Sequence, residues 1–204
     1  MRELFEFEDQ YTERGYTAIA GIDEAGRGPL AGPVVAACAI MPLDDIIEGI
    51  NDSKKLSEKK REALFEQIKE KALAFSIVEM SAEVIDDINI LEATKKAMIQ
   101  CATELTIKPD VVFIDAVKLN LPYETLSIIK GDARSYNIAA ASILAKVHRD
   151  RLMREYAKIY PEYGFAKHKG YGTSEHIRAL KEFGPCPLHR ALFIRNFIDG
   201  SDKK

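Results

Sequence analysis

Two short apolar runs, Thr17–Asp23 and Pro33–Ile40, flank a glycine-rich turn, Gly26-Arg-Gly-Pro-Leu-Ala-Gly32. Runs of this length bounded by Gly and Pro read as strands, and their closeness predicts a hairpin-like start to a sheet. The chain downstream alternates. From Ser57, a helix N-cap, Leu64, Phe65, Ile68 and Ala72 recur on one helical face, and Ala74–Met80 returns to strand character. Leu91, Thr94, Met98, Cys101, Ala102 and Leu105 mark a second amphipathic helix. Pro109 then leads into Asp110–Asp115, a run suited to a buried strand that ends on a carboxylate.

Thr125–Lys130 reads as a further strand, and Ser135 to about Tyr160 is alanine-rich and helical, as one helix or two. Beyond Pro161 the composition shifts to Gly, Lys, His and Tyr, with short helices expected at Ser174–Phe183 and Arg190–Ile198, the first stopped by Gly184-Pro185. The expected fold class is α/β, a mixed sheet flanked by helices with a small C-terminal helical appendage. The shift in composition falls near residue 160 and sets 1–160 against the helical appendage over 161–204, with no Ser- or Gly-rich linker to mark a clean boundary.

A chain of 204 residues with 47% hydrophobic and 30% charged content has enough apolar residues for a sizeable core, which excludes disorder and collagen-like repeats. Cys38, Cys101 and Cys186 are odd in number and lie far apart, which is neither a disulfide framework nor a zinc spacing. With no secretion signal or apolar stretch of membrane-spanning length, a cytoplasmic protein is expected. Cys186 and His189 lack two further ligands nearby and read as a loop thiol and a surface imidazole. The formal charge of −3 argues weakly against a nucleic-acid partner, but the total hides a gradient. Residues 1–50 hold 3 basic and 10 acidic side chains, whereas residues 130–178 hold 10 basic and 5 acidic. Such polarity suits an acidic face for metal ions beside a basic face for phosphates, although charge blocks are often only solvated surface.

Asp23 and Glu24 end the first strand, Asp115 ends a later one, and Asp132 stands 17 residues beyond it, after the next strand. In open α/β sheets functional groups gather at the carboxyl ends of strands, so these acids can meet. Adjacent strand residues point to opposite faces, and Asp23 and Glu24 share one site only if the strand twists or breaks there. Grouped carboxylates repel one another, and a hard divalent cation relieves them. Oxygen-only ligands suit Mg²⁺ or Mn²⁺, and two such ions make phosphodiester hydrolysis the natural reaction. The alternative is a set of exposed strand-end acids. The turn Gly26-Arg27-Gly28 lets backbone approach a ligand closely, but it lacks the ending of a P-loop and the helix of a dinucleotide fingerprint.

Gly21-Ile-Asp-Glu-Ala-Gly-Arg-Gly-Pro29, Asp52-Ser-Lys-Lys-Leu56, Phe113-Ile-Asp115, Lys130-Gly-Asp132, Ala140-Ala-Ser-Ile-Leu-Ala-Lys-Val147 with Arg149-Asp150, and Lys169-Gly-Tyr-Gly-Thr173 together resemble the bacterial type 2 ribonuclease H family, ribonuclease HII. The resemblance runs colinearly from about residue 17 to residue 192. It implies a ribonuclease H-like fold and a monomeric endonuclease that cuts RNA in RNA/DNA hybrids, including a single ribonucleotide embedded in duplex DNA. It assigns Asp23, Glu24, Asp115 and Asp132 as metal ligands for two divalent ions, with Asp132 completing the second site when substrate is present. Asp150 is expected to form a structural ion pair. The resemblance further implies that the backbone of Gly26, Arg27 and Gly28 reads the ribose 2′-hydroxyl and that Tyr171 packs on the following deoxyribose. Lys54, Lys55, Lys146, Lys167 and Lys169 are candidates for the phosphate backbone. A different phosphoryl-transfer enzyme of the same superfold and a non-catalytic hybrid-binding module are the competing readings. The second would have no need of four grouped acids.

Overall fold

Alternation along the first strands decides how the molecule is layered. In the computed structural model, which describes residues 2–198, β1 (Ile19–Ala25) pairs antiparallel with β2 (Val34–Ile40). Ala20 and Ile22 of β1, with Val34, Ala36, Cys38 and Ile40 of β2, face one side, while Val35, Ala37 and Ala39 face the other. Both faces are apolar, so both must be covered. The expected hairpin is therefore present, with the first strand running two residues beyond Asp23.

Three further strands complete the sheet in the order β3-β2-β1-β4-β5. The strand β3 (Ala74–Met80) adds antiparallel to β2, whereas β4 (Val111–Asp115) and β5 (Glu124–Ile128) run parallel to β1. A short N-terminal helix, α1 (Glu6–Glu13), precedes β1, and α2 (Glu58–Lys71) starts at Ser57, whose hydroxyl accepts the Lys60 N–H. The second amphipathic helix is α4 (Ile90–Thr103), and a further short helix, α3 (Ala82–Ile88), precedes it. Asn89 divides them with φ of 66°, and its side chain caps α4. Leu91 falls in the exposed first turn of α4 and lies outside its buried face. The alanine-rich segment is a single helix of 24 residues, α5 (Tyr136–Ile159), capped by Ser135. The chain then forms α6 (Phe165–His168), α7 (Ser174–Phe183) and α8 (Ala191–Ile198).

Helices α3 and α4 cover one face of the sheet, and α5 with α2 covers the other. The contact of α5 with β1 is backbone to backbone. A methyl group added at Gly21 would lie 2.2 Å from Asn137 C and Ile138 N. No side chain fits there. Among the described residues no helix is long and apolar enough to cross a membrane.

The N-terminal helix is fastened to α5 by a buried acid. Glu8 Oε1 accepts from Ser135 Oγ at 2.6 Å, Asn137 N at 3.1 Å and Asn137 Nδ2 at 3.2 Å, while Oε2 is buried with no partner among the described residues. Burial pushes this carboxyl above its ordinary range against the opposing pull of those donors.

Both features can be tested by denaturation. Gly21→Ala should lower the unfolding free energy by about 3 kcal/mol or more, read in urea, since helix and strand must separate to admit the methyl group. For Glu8 the fold prefers the protonated form, so its contribution to stability falls as pH rises through the mid-acid range. Glu8→Gln should therefore gain stability relative to the parent between pH 4 and pH 8, and urea midpoints with a constant gap would contradict this.

Candidate active site

The carboxyl end of β1 sets the first acid. Asp23 lies two residues after Gly21 on the same face, pointing toward α5, where it is buried and lines the cleft with Ser142. β4 runs parallel beside β1 and delivers Asp115 to the same end of the sheet. After β5 the chain turns through Lys130, at φ of 56°, into the short helical turn Gly131–Ala133, which carries buried Asp132. One carboxylate oxygen from each of Asp23, Asp115 and Asp132 lies within 4.8 Å of the others. This is the meeting of strand-end acids that the spacing suggested.

Each acid is held by a neighbour. Asp23 Oδ1 accepts the Glu24 N–H at 2.7 Å, and Asp115 Oδ1 accepts the Gly131 N–H at 2.7 Å. Lys54 Nζ stands 3.4 Å from Asp132 Oδ2, on the short turn that Asp52 caps. Burial, and then the negative charges of Glu24 and Asp115, hold the Asp23 carboxyl well above its ordinary range. Burial raises Asp115 as well, with Asp132 adding to the shift against the Gly131 hydrogen bond. Three crowded oxygens whose own repulsion opposes ionisation form a set that a hard cation would relieve, so the residues present fit a divalent ion of the Mg²⁺ or Mn²⁺ type.

Glu24 stands apart from this triad. The strand neither twists nor breaks after Asp23, since pairing with β2 continues through Glu24–Ala36 and Ala25–Val35. Glu24 therefore leaves from the opposite face and pairs with Arg27 at 3.4 Å. It still lines the same cleft of about 250 Å³, with Asp23, Arg27, Lys54, Lys146 and Tyr171. Burial raises its carboxyl, and Arg27 opposes the shift.

The wall opposite the acids is the β1–β2 turn, held by two arginines that sequence reasoning did not select. Arg190 is fully buried, and its guanidinium donates to Gly26 O at 2.6 Å, Arg27 O at 3.0 Å, Pro29 O at 2.9 Å and twice to Gly32 O, at 2.8 and 3.0 Å. All five N–H groups are used. Arg149 of α5 donates to Pro33 O, Ala31 O and Lys169 O at 2.9–3.1 Å. Burial and then the neighbouring Arg149 push the Arg190 guanidinium down to about 9, so it remains a cation at neutral pH. A trans peptide sets its N–H opposite its carbonyl, so drawing Gly26 O and Arg27 O inward turns the N–H groups of Arg27 and Gly28 away from the arginines. The glycines serve different ends. A methyl group at Gly26 would strike the Arg149 side chain at 2.1 Å, whereas one at Gly28 would meet only the Tyr171 ring, at 3.8 Å.

Among the candidate lysines, Lys54 and Lys146 line the cleft, the latter paired with buried Asp150 at 2.7 Å in the ion pair anticipated for that acid. Lys55, Lys167 and Lys169 lie outside it; Lys167 pairs with Glu175 at 2.7 Å, and Lys169 bonds the Ala166 carbonyl. The basic block of residues 130–178 is not an open face, because Arg134, Lys146, Arg151, Arg154, Lys158 and Lys167 are ion-paired and Arg149 is buried. His189 is buried, not a surface imidazole; it sits between His176 and Cys186.

A family model described as Ribonuclease HII matches residues 20–196. Ribonuclease HII of Acetivibrio thermocellus is 58% identical over 197 residues, covering 96% of this chain and 77% of its own. The same enzyme of Caldicellulosiruptor bescii is 52% identical and covers 95% of both chains. Among solved structures, ribonuclease H2 from Pyrococcus horikoshii superposes with a TM-score of 0.77 at 28% identity, over 92% of this chain and all of that one. The match takes in the acid-bearing strands, the arginine-held turn and the Tyr171 loop together, and the chain belongs to the ribonuclease HII family.

Proposed function

We propose that the protein is an endoribonuclease that hydrolyses the phosphodiester bond on the 5′ side of a ribonucleotide, in RNA/DNA hybrids and in duplex DNA with single embedded ribonucleotides. The observation that carries this reading is the convergence of Asp23, Asp115 and Asp132, two of them buried, at the carboxyl end of parallel β1 and β4. Asp23, Glu24, Asp115 and Asp132 would hold two Mg²⁺ or Mn²⁺ ions. Bound there, such ions neutralise the carboxylates, activate a water for in-line attack on phosphorus and stabilise the departing alkoxide. The new P–O bond forms from water as the P–O3′ bond breaks, leaving 3′-hydroxyl and 5′-phosphate ends.

The chain's own groups orient and select. Arg190 and Arg149 present the N–H groups of Arg27 and Gly28 to the 2′-hydroxyl, the one group that separates RNA from DNA at a sugar. Tyr171, at the cleft beside Gly28, packs on the next sugar, where a ribose would be crowded. Lys54 and Lys146 face the phosphates nearest the acids, and Lys55, Lys167 and Lys169 contact the backbone farther out. The enzyme acts as a monomer, and two buried free thiols, Cys38 and Cys101, suit a reducing cytoplasm.

Incubating the protein with a duplex carrying one ribonucleotide, with and without divalent metal, and mapping the cut tests the whole reading. Cleavage on the 3′ side, or equal cleavage in chelator, would overturn it. Asp23→Asn or Asp115→Asn should each cut turnover by about a thousandfold or more, the scale of losing a group built for transition-state charge. Substrate affinity should hold or improve, because a repelling charge is removed. Near-normal turnover in either variant would rule out the carboxylate mechanism. For Lys167→Ala with Lys169→Ala, the slope of log affinity against log salt should become shallower by about one unit for each lysine–phosphate interaction removed. An unchanged slope removes that pair from the interface.

A further inference from the structure

The loop that presents Tyr171 rests on three buried imidazoles. His168 ends α6, His176 lies in the first turn of α7, and His189 precedes α8. The rings of His168 and His176 stack at 4.6 Å, with Phe165 edge-on to His176 and Tyr163 against His189. Of the charged side chains that act on His168, Lys167 and Glu175 are paired with each other, and Lys169 bonds the Ala166 carbonyl.

Backbone partners that can act in only one sense place the proton on each ring. A carbonyl only accepts, so His176 Nδ1 donates to Tyr171 O at 2.9 Å, and Nε2 of the neutral ring is an acceptor. His168 likewise donates from Nε2 to Tyr163 O at 2.7 Å and accepts the Gly170 N–H on Nδ1 at 3.2 Å. At His189 two backbone groups compete for Nδ1. The Cys186 N–H points at it from 3.0 Å. Cys186 O is farther, at 3.3 Å, and already accepts the His189 N–H at 3.0 Å. Nδ1 is therefore the acceptor, and His189 Nε2 carries the hydrogen that it donates to His176 Nε2 at 3.0 Å.

A directed chain results, from the Cys186 N–H through two neutral rings to the Tyr171 carbonyl. A second proton on either ring would set one N–H against another. Burial already moves all three imidazoles below their ordinary range, His189 to about 4. The other backbone groups of the loop have separate anchors, since Gly170 O accepts from Leu30 N at 2.8 Å and Lys169 O accepts from Arg149 at 3.0 Å. The Tyr171 carbonyl accepts the Thr173 N–H at 2.8 Å within its own turn, and among the described residues His176 is the side chain that ties it to the body of the fold.

We propose that His176, oriented by His189 and stacked on His168, is a positioning residue that fixes the Tyr171 peptide and so sets its ring at the edge of the cleft for discrimination of the sugar beyond the cut. This rests on the reading of Tyr171 as a substrate contact, and the two can fail separately. In ¹⁵N-histidine-labelled protein near neutral pH, long-range ¹H–¹⁵N spectra should show His176 as the Nδ1–H tautomer and His168 and His189 as Nε2–H tautomers. A charged His176, or one protonated on Nε2, would overturn the proposal in the unmodified protein, whether or not any variant folds.

In kinetics on a single-ribonucleotide duplex, His176→Phe should raise KM about tenfold, the equivalent of one hydrogen bond, with kcat within about twofold. His176→Asn, whose amide can still donate near the Nδ1 position, should recover most of that loss. In a Tyr171→Ala background His176→Phe should add nothing. If Tyr171→Ala raises KM and His176→Phe does not, positioning alone is overturned. If Tyr171→Ala leaves KM unchanged, the substrate role of Tyr171 fails and the positioning role with it.

Discussion

The approach of α5 to β1 at Gly21 is the contact on which the rest depends. With no side chain between them, the helix backbone lies directly on the strand, and one rigid helix of seven turns then serves several sites along its length. Its first turn receives Glu8, its second brings Ser142 to Asp23, and its middle supplies Lys146 to the cleft and Arg149 to the β1–β2 turn. The acid site and the turn share one ruler. Their spacing is therefore a property of a close-packed interior rather than of a loop.

A second constraint closes the cleft. Two buried guanidinium groups have no carboxylate partner among the described residues and are satisfied instead by the carbonyls of residues 26 to 33 and by Lys169. Charge-assisted bonds of this kind offset desolvation only when every donor is used, which explains why the turn is wrapped so completely around Arg190. Arg190 reaches carbonyls 158 or more residues away in sequence, and Arg149 reaches Pro33 and Ala31 across 116 and 118, so both tie distant segments to the catalytic end of the sheet. Three non-glycine residues near the acids and the tyrosine adopt left-handed backbone: Ala116, Lys130 and Lys169. Each conformation costs of order 1 kcal/mol and persists because neighbouring bonds impose it, as the Gly131 N–H to Asp115 bond does after Lys130.

Much of this was legible beforehand for local reasons. The limits of β3 and α7, the Ser57 cap, the helical stretch from Ser135 and the mixed sheet follow from periodicity, composition and capping chemistry, which neighbouring residues determine. The short helix α3 was not legible, because seven residues carry too little periodicity to register, and the positive φ at Asn89 that separates it from α4 emerges only in the fold. How far the basic block is neutralised was not legible either. Charge along a sequence does not say which acids elsewhere will neutralise it, and Glu6, Glu58, Glu62 and Glu66 do so from distant elements.

The sequence by itself determined the strands, the carboxylates at their ends and, through its motifs, the family, because these reside in residue types at short spacings. Only the tertiary structure decided that Asp23, Asp115 and Asp132 form the compact triad while Glu24 departs from the other face, since that depends on β1 continuing unbroken beside β2. It alone decided that Arg149 and Arg190 turn inward and that His189 is buried between His176 and Cys186. A side chain's protonation and partners are set by what is packed around it, and in this chain those partners come from segments that only folding brings together.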